Sequence, residues 1–187
     1  VKVDKPVESR VVMGKLLYGN LSDPELSDFT QLLIDSKLLD QRFRDAVTRE
    51  NIPNLKFLAA AKYWTAFIPT NAAMAKAREQ KIIPYTFPKS TAGKDSIDRF
   101  IKYHFVVNDV IFDDGKQNGN FDTYFTYTDP FDPSKTLSAK LKVTNAPLKL
   151  SVTDVSGQVV DIDHKNANLL VRKGVVHKIN SVLKYYK

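Results

Sequence analysis

Tyr63-Trp64-Thr65-Ala66-Phe67-Ile68-Pro69-Thr70-Asn71-Ala72-Ala73-Met74 reads as a buried strand running straight into a helix. Tyr63 to Ile68 is aromatic and β-branched, which suits a pleated sheet surface. Pro69 has no N–H to give to a strand ladder and ends the run. Thr70 stands where a side-chain oxygen caps the free amides of a first helical turn. Ala72, Ala73, Ala75 and Ala77 are strong helix formers, and they carry a helix from Asn71 to about Lys81. Trp64 and Phe67 point to opposite faces of such a strand. If one face of the sheet is solvated, they are not both core.

Upstream, Ser22-Asp23-Pro24-Glu25 starts a helix, with a capping residue, Pro in the first turn and an acid near the positive end of the dipole. Phe29, Leu32, Leu33 and Ser36 follow at helical spacing. A second helix is expected over Leu38–Thr48, with Leu39, Phe43, Ala46 and Val47 on its apolar face, broken at Asn51–Asn54. Leu55 to Ala61 reads as a short helical or turn-like piece. Val1 to Asn20 has no clear period, though Val11–Met13 and Leu16–Tyr18 are short enough to be strands. We therefore divide the chain into an extension or linker over residues 1–21 and a domain over 22–187.

Downstream, Pro84 and Pro88 mark a loop to Gly93, and Asp95 or Ser96 is expected to cap the next helix. Ile97, Phe100, Ile101, His104 and Phe105 then form one continuous apolar face that aims His104 at the core. From Val106 the pattern turns to strands. Asp113-Asp114-Gly115 and Asn118-Gly119-Asn120 are turn signals. Tyr124–Tyr127 and Leu137–Val143 alternate, and Asp129–Pro133 is a rigid loop. Leu148–Val155 and Gln158–Ile162 flank a tight turn at Ser156-Gly157. Leu169–Val171, Val175–Val176 and the tail from Ile179 to Tyr186 supply the last strands. Helices first and antiparallel hairpins afterwards argue for an α+β architecture.

The chain has 187 residues, 43% hydrophobic and 26% charged, which suits one domain with a core that needs no staples. It has no cysteine, which removes disulfides, cysteine-ligated zinc and cysteine nucleophiles. No apolar run approaches the ~20 residues that span a bilayer. The net charge of +7 is uneven, with +5 of it between residues 51 and 100. No Lys/Arg cluster is dense enough for a nucleic-acid arm. The excess reads first as a solvated surface and second as weak attraction to acidic polysaccharide or anionic lipid.

Three stretches carry a resemblance to a known family. Phe67-Ile68-Pro69-Thr70-Asn71-Ala72-Ala73-Met74 resembles the first signature motif of the fasciclin domain. Tyr103-His104 resembles its central Tyr-His pair, and Gly174-Val175-Val176-His177-Lys178-Ile179-Asn180 resembles its second signature motif. They occur in the family's order across Ser22 to about Leu183. The resemblance implies an antiparallel β-wedge or sandwich with helices packed along one edge. It makes Phe67, Pro69, Thr70, Asn71, Tyr103, His104, Gly174, Val176 and His177 framework residues. It also implies a non-enzymatic adhesion or binding module, extracellular or on a cell surface, of bacterial lipoprotein type, with any lipid anchor upstream of Val1. Its partner is then a surface or matrix protein or an acidic polysaccharide. The alternative is a structural spacer within a surface assembly. The sequence departs from the family pattern in long spans at Met74–Tyr103 and Phe112–Thr136, and in Lys173 ahead of the second motif.

Chemistry is thinly signalled. The three histidines, His104, His164 and His177, lack ligand spacing, and no metal or cofactor is expected. Asp113, Asp114, Asn118, Asn120 and Asp122 suggest calcium, yet they lack the terminal acidic ligand of an EF-hand loop. There is no Gly-x-Ser-x-Gly elbow, phosphate loop or glycosidase-like carboxylate pair, so catalysis is not expected. Two surfaces are candidates for binding. Lys76, Arg78 and Lys81 follow the first motif at spacings that place them on one side of a helix. Tyr124 and Tyr127 lie in an aromatic cluster with Phe125 and Phe131, where Phe125 is expected in the core and the two tyrosines are open between core and surface.

Overall fold

The structure, a computed structural model, describes residues 23–40, 54–171 and 173–186. Asp23 caps a single 3-10 turn, its carboxylate accepting from the Glu25 amide at 2.9 Å. Helix α1 (Ser27–Asp35) follows and buries Phe29, Leu32 and Leu33. Its end is set by Lys37, which adopts a φ of 58° and turns the chain into extended conformation. That turn corrects the start of the helix expected over Leu38–Thr48. Leu39–Asp40 is instead a short strand, β1, paired antiparallel with β2 (Asn54–Leu55). The rest of that helix, Ser22 and the strands expected before Asn20 lie outside the described residues.

Strand β3 (Trp64–Pro69) runs into α2 (Asn71–Glu79), and Thr70 Oγ1 accepts from the Ala73 amide at 3.4 Å, as the cap chemistry requires. Helix α3 (Thr91–Tyr103) begins earlier than expected. Ser90, not Asp95 or Ser96, caps it through the Gly93 amide at 3.2 Å. Pro88 sits so close that a Cβ on Gly93 would lie 2.5 Å from the Pro88 Cβ, which leaves room only for glycine in this first turn.

The remaining strands are β4 (Phe105–Val107), β5 (Gly119–Thr128), β6 (Thr136–Ala146), β7 (Lys149–Thr153), β8 (Val159–Ile162), β9 (Leu169–Val171) and β10 (Gly174–Ile179). With β3 they form one open sheet in the order β8-β7-β6-β5-β4-β3-β10-β9. Every neighbouring pair is antiparallel except β3 and β10, which run parallel from Gly174 opposite Trp64 to Ile179 opposite Pro69. The antiparallel hairpins expected after Val106 are joined by this one parallel pair. No tight turn joins these two strands, so nothing local dictates their relative direction. The two signature strands do lie side by side in one sheet.

The sheet bends so that β8 comes back against β10. Two cores result. One lies under α1, α2 and α3 and takes Trp64, Ala66 and Ile68 of β3 with Phe29, Met74, Phe100 and Phe105. The other lies inside the bend and takes Phe67 with Tyr103, Val106, Leu141, Val152, Val160 and Ile179. So β3 is buried on both faces, the sheet is not one-sided there, and Trp64 and Phe67 are both core. Beyond Ile179 the tail is not a strand. Side chains hold it instead, with Gln158 Nε2 donating to Ser181 Oγ at 2.7 Å and the Lys184 amide donating to Asp154 Oδ2 at 2.8 Å.

Candidate functional site

The signature residues meet around the β3–β10 pair, and each polar one is engaged by backbone. Asn71 does the most. Its Nδ2 donates to Pro24 O at 2.7 Å and to Ser27 Oγ at 2.9 Å, and its Oδ1 accepts from the Asp28 amide at 2.9 Å. It thus caps the start of α1 from across the molecule, using a free first-turn amide that has no partner within the helix. Lys178 adds ion pairs to Asp23 and Glu25 at the same end, locking β10 to it.

Tyr103 and His104 end α3. The Tyr103 hydroxyl donates to Lys140 O at 3.0 Å and accepts from the Val155 amide at 3.1 Å. Burial pushes its ionisation well above the usual tyrosine range. His104 is fully buried, with the Leu183 amide donating to Nε2 at 3.1 Å, so the ring proton sits on Nδ1 and goes to Phe100 O at 2.8 Å. His177 mirrors it. The Asn168 amide donates to Nδ1 at 3.3 Å, Nε2 donates to Ile111 O at 2.9 Å, and the ring stacks on Phe67 at 5.3 Å. Burial lowers both imidazoles to about 4, leaving them neutral. Gly174 is fixed by contact, since a Cβ there would lie 2.5 Å from Trp64 O and 2.6 Å from its indole. Val176 packs in the first core. Phe67 and Pro69 are buried in β3, and Thr70 caps α2.

The loop read as calcium-like is held by protein partners. Asp113 is buried and hydrogen-bonded to His164 Nδ1 and Asn168 Nδ2. Burial alone would raise its carboxyl, but these bonds outweigh it and hold the carboxyl below the usual range. Asp114 pairs with Lys116 and Asp122 with Lys140. The Asn118 side chain clasps the Asn145 backbone, its Nδ2 donating to Asn145 O at 3.0 Å and its Oδ1 accepting from the Asn145 amide at 2.6 Å. No cluster of three or more His, Asp or Glu side chains with metal-binding geometry is present among the described residues.

The candidate binding residues do not assemble into one surface. Lys76 and Lys81 are exposed, Lys81 lying past the end of α2. Arg78 turns inward to Asp28 and its side chain is only 22% exposed. Tyr124 packs against Phe57 at 5.4 Å, on the edge of the first core, while Tyr127 lies on the other face beside Phe125 and is 43% exposed. Two features escaped the sequence reading. Asp154 is buried and gathers the amides of Ser156, Gln158 and Lys184. Its signal is the Asp-x-Ser-Gly turn, read as a hairpin without its side chain. The other is a cavity of about 130 Å³ between α1, α2 and the Pro84–Phe87 segment. No helix among the described residues is long and apolar enough to cross a membrane.

The family model for the Fasciclin domain matches residues 24–185. Among solved structures, a fasciclin domain pair from the insect cell adhesion molecule fasciclin I matches with a TM-score of 0.51 and 12% identity. The match covers 88% of this chain and 49% of that one, so the chain spans about half the length of that structure. No curated protein sequence matches the chain.

Proposed function

The chain belongs to the fasciclin domain family, and from that premise we propose that it is a non-enzymatic binding module that recognises a partner through its surface, extracellularly or at a cell surface. Fasciclin domains are generally adhesion modules found in those places. The observation that carries the reading is the engagement of the motif residues. Asn71, Tyr103, His104 and His177 all spend their polar atoms on backbone groups. They serve as scaffold. Partner recognition then falls to exposed loops and strand ends.

A protein partner fits best, because large aromatic side chains stand out in solvent, Phe131 at 96% and Tyr85 at 71%. Aromatic side chains are enriched in protein interfaces, and tyrosine among their hot spots. An acidic polysaccharide is the second reading, favoured by exposed Lys76 and Lys81 in the part of the chain that carries the +5 excess. The test is retention of the immobilised domain on matrix proteins, a heparin-like glycan and a neutral glycan, at low and high salt. The Lys76→Ser, Arg78→Ser, Lys81→Ser triple variant is run alongside. Salt-sensitive retention on the acidic glycan, lost in the triple variant, supports the second reading. Retention on protein that survives salt supports the first, and no retention on any of them overturns both.

A further inference from the structure

The segment that leads into β5 carries the one asparagine of the chain that a glycine follows, Asn118-Gly119. An asparagine in that setting is chemically labile. The backbone nitrogen of the next residue attacks Cγ, the side-chain Nδ2 leaves as ammonia, and a cyclic imide closes. Water then opens the imide at either carbonyl and leaves aspartate or isoaspartate. Glycine favours the first step because it has no side chain to crowd its own nitrogen. The surroundings of Gly119 are open as well, since a Cβ built on it would meet nothing within 4 Å. Asn118 itself is exposed, so water reaches it.

The fold sets a clasp against that chemistry. Besides its two bonds to the Asn145 backbone, Asn118 Nδ2 donates to Gly115 O at 3.4 Å. The Asn145 side chain answers, donating to Phe112 O at 2.6 Å and accepting from the Gly115 amide at 3.1 Å. The Leu148 amide adds a bond to Asp113 O at 2.9 Å. Residues 112–118 are thereby tied to the end of β6 and the turn into β7. Closing the imide swings Asn118 Cγ back onto the Gly119 nitrogen and turns the peptide between them. The clasp instead aims the side-chain amide across at Asn145, and Gly119 is held in the ladder opposite Val143. Ring closure therefore waits on a local opening of this corner.

We infer that Asn118 is a site of one-way covalent modification: the clasp holds deamidation off while the domain is folded, and deamidation, once it has happened, disables the clasp. Each product does so differently. Aspartate puts a carboxylate oxygen where Nδ2 stood, facing the Asn145 and Gly115 carbonyl oxygens with no proton to donate. It also adds a negative charge to a loop that already carries Asp113 and Asp114. Isoaspartate routes the main chain through the former side chain and adds a methylene just ahead of Gly119. The β5–β6 ladder then slips or loses its first pair, Gly119 opposite Val143. The ammonia is gone, so refolding does not restore the amide. The exposed corner made by residues 112–118 and the turn at Leu148 thus keeps a record of past opening.

Peptide mapping by mass spectrometry tests it, on wild-type chain aged at mildly alkaline pH both folded and in denaturing guanidinium chloride. In denaturant Asn118 should convert before any other asparagine. In the folded chain it should convert about tenfold more slowly or less, the factor that two or three hydrogen bonds of ordinary net strength impose. The deamidated chain, separated by ion exchange, and the Asn118→Asp variant should each melt several degrees below the wild type. Equal rates in the folded and unfolded chain overturn the inference, because the clasp then protects nothing. So does another asparagine that converts first in denaturant, or a deamidated chain and an Asn118→Asp variant that both melt like the wild type. The rate comparison uses the wild-type chain alone, so it decides whether or not the variant folds.

Discussion

Acidification should destabilise this domain at a pH where its carboxylates are still ionised, because the unfolded chain binds protons at His104 and His177 that the folded state refuses. Both rings are buried and neutral in the fold, with burial the cause of ionisation at about 4. In the unfolded chain an imidazole titrates near ~6.5. The folded value is depressed for a base, so the unfolded state binds more protons between those limits. Stability is therefore complete above ~6.5 and is lost as pH falls towards 4. Integrating the proton difference from pH 7 to pH 5 gives about 2 kcal/mol for each histidine, or about 4 kcal/mol for the pair. That is a large share of the ~5–15 kcal/mol that holds a domain together. Asp23, Asp113, Asp114 and Asp132 have lowered carboxyls, so their losses begin only as pH drops into the ordinary carboxylate range and lie below this window. Urea unfolding at half-unit steps from pH 7.5 to 4.5 measures the curve. His104→Gln and His177→Gln, each destabilised at pH 7, should each flatten the slope by about one proton. A wild-type stability that is level between pH 7 and pH 5 would refute the neutral assignment of both rings.

Trp64→Ala and Phe67→Ala should each cost about 3–5 kcal/mol in equilibrium unfolding, because β3 fills a separate core on each face; one mild value would mean that one face is not packed. Gly174→Ala should cost about 2 kcal/mol or more, since its Cβ would press into the Trp64 carbonyl and indole, and combining it with Trp64→Ala should give less than the sum of the two losses. Asn71→Ala should cost about 2 kcal/mol by removing the cross-molecule cap of α1, and hydrogen exchange should show the amides of Ser27–Asp35 losing protection first.

How far the sequence discloses the molecule depends on how local the cause is. The β3–α2 corner is legible because Pro69, Thr70 and the alanines act on their own backbone. The Ser156-Gly157 turn is legible for the same reason, with Gly157 at a φ of 86°. The cap of α3 was misplaced because Ser90, Asp95 and Ser96 all have capping side chains, and the choice is made by Pro88 packing onto Gly93. The parallel β3–β10 pair has no local cause at all. Yet the two-sided burial of β3 had a signal: Trp64-Thr65-Ala66-Phe67-Ile68 does not alternate polar with apolar, and unbroken apolar runs mark strands covered on both faces.

The site divides along the same line. A motif survives as a recognisable string when its side chains hold backbone atoms, since those partners do not depend on what the neighbouring side chains are. His104 holds Phe100 O and the Leu183 amide, His177 holds Ile111 O, and Asn71 holds Pro24 O and the Asp28 amide. Those strings therefore announce a fold. Residues that the fold does not need can recognise a partner without disturbing it, and Phe131, Tyr85 and the rim of the α1–α2 cavity are of that kind. Asp129 and Asp132 hold the Phe131 loop with bonds confined to seven residues, Asp129 to Lys135, so its side chains can change while the sheet behind it stays the same. On the proposed reading, recognition falls to exposed side chains that the fold does not need, so exchanging the Asp129–Lys135 loop should change what the domain binds while its melting temperature stays put.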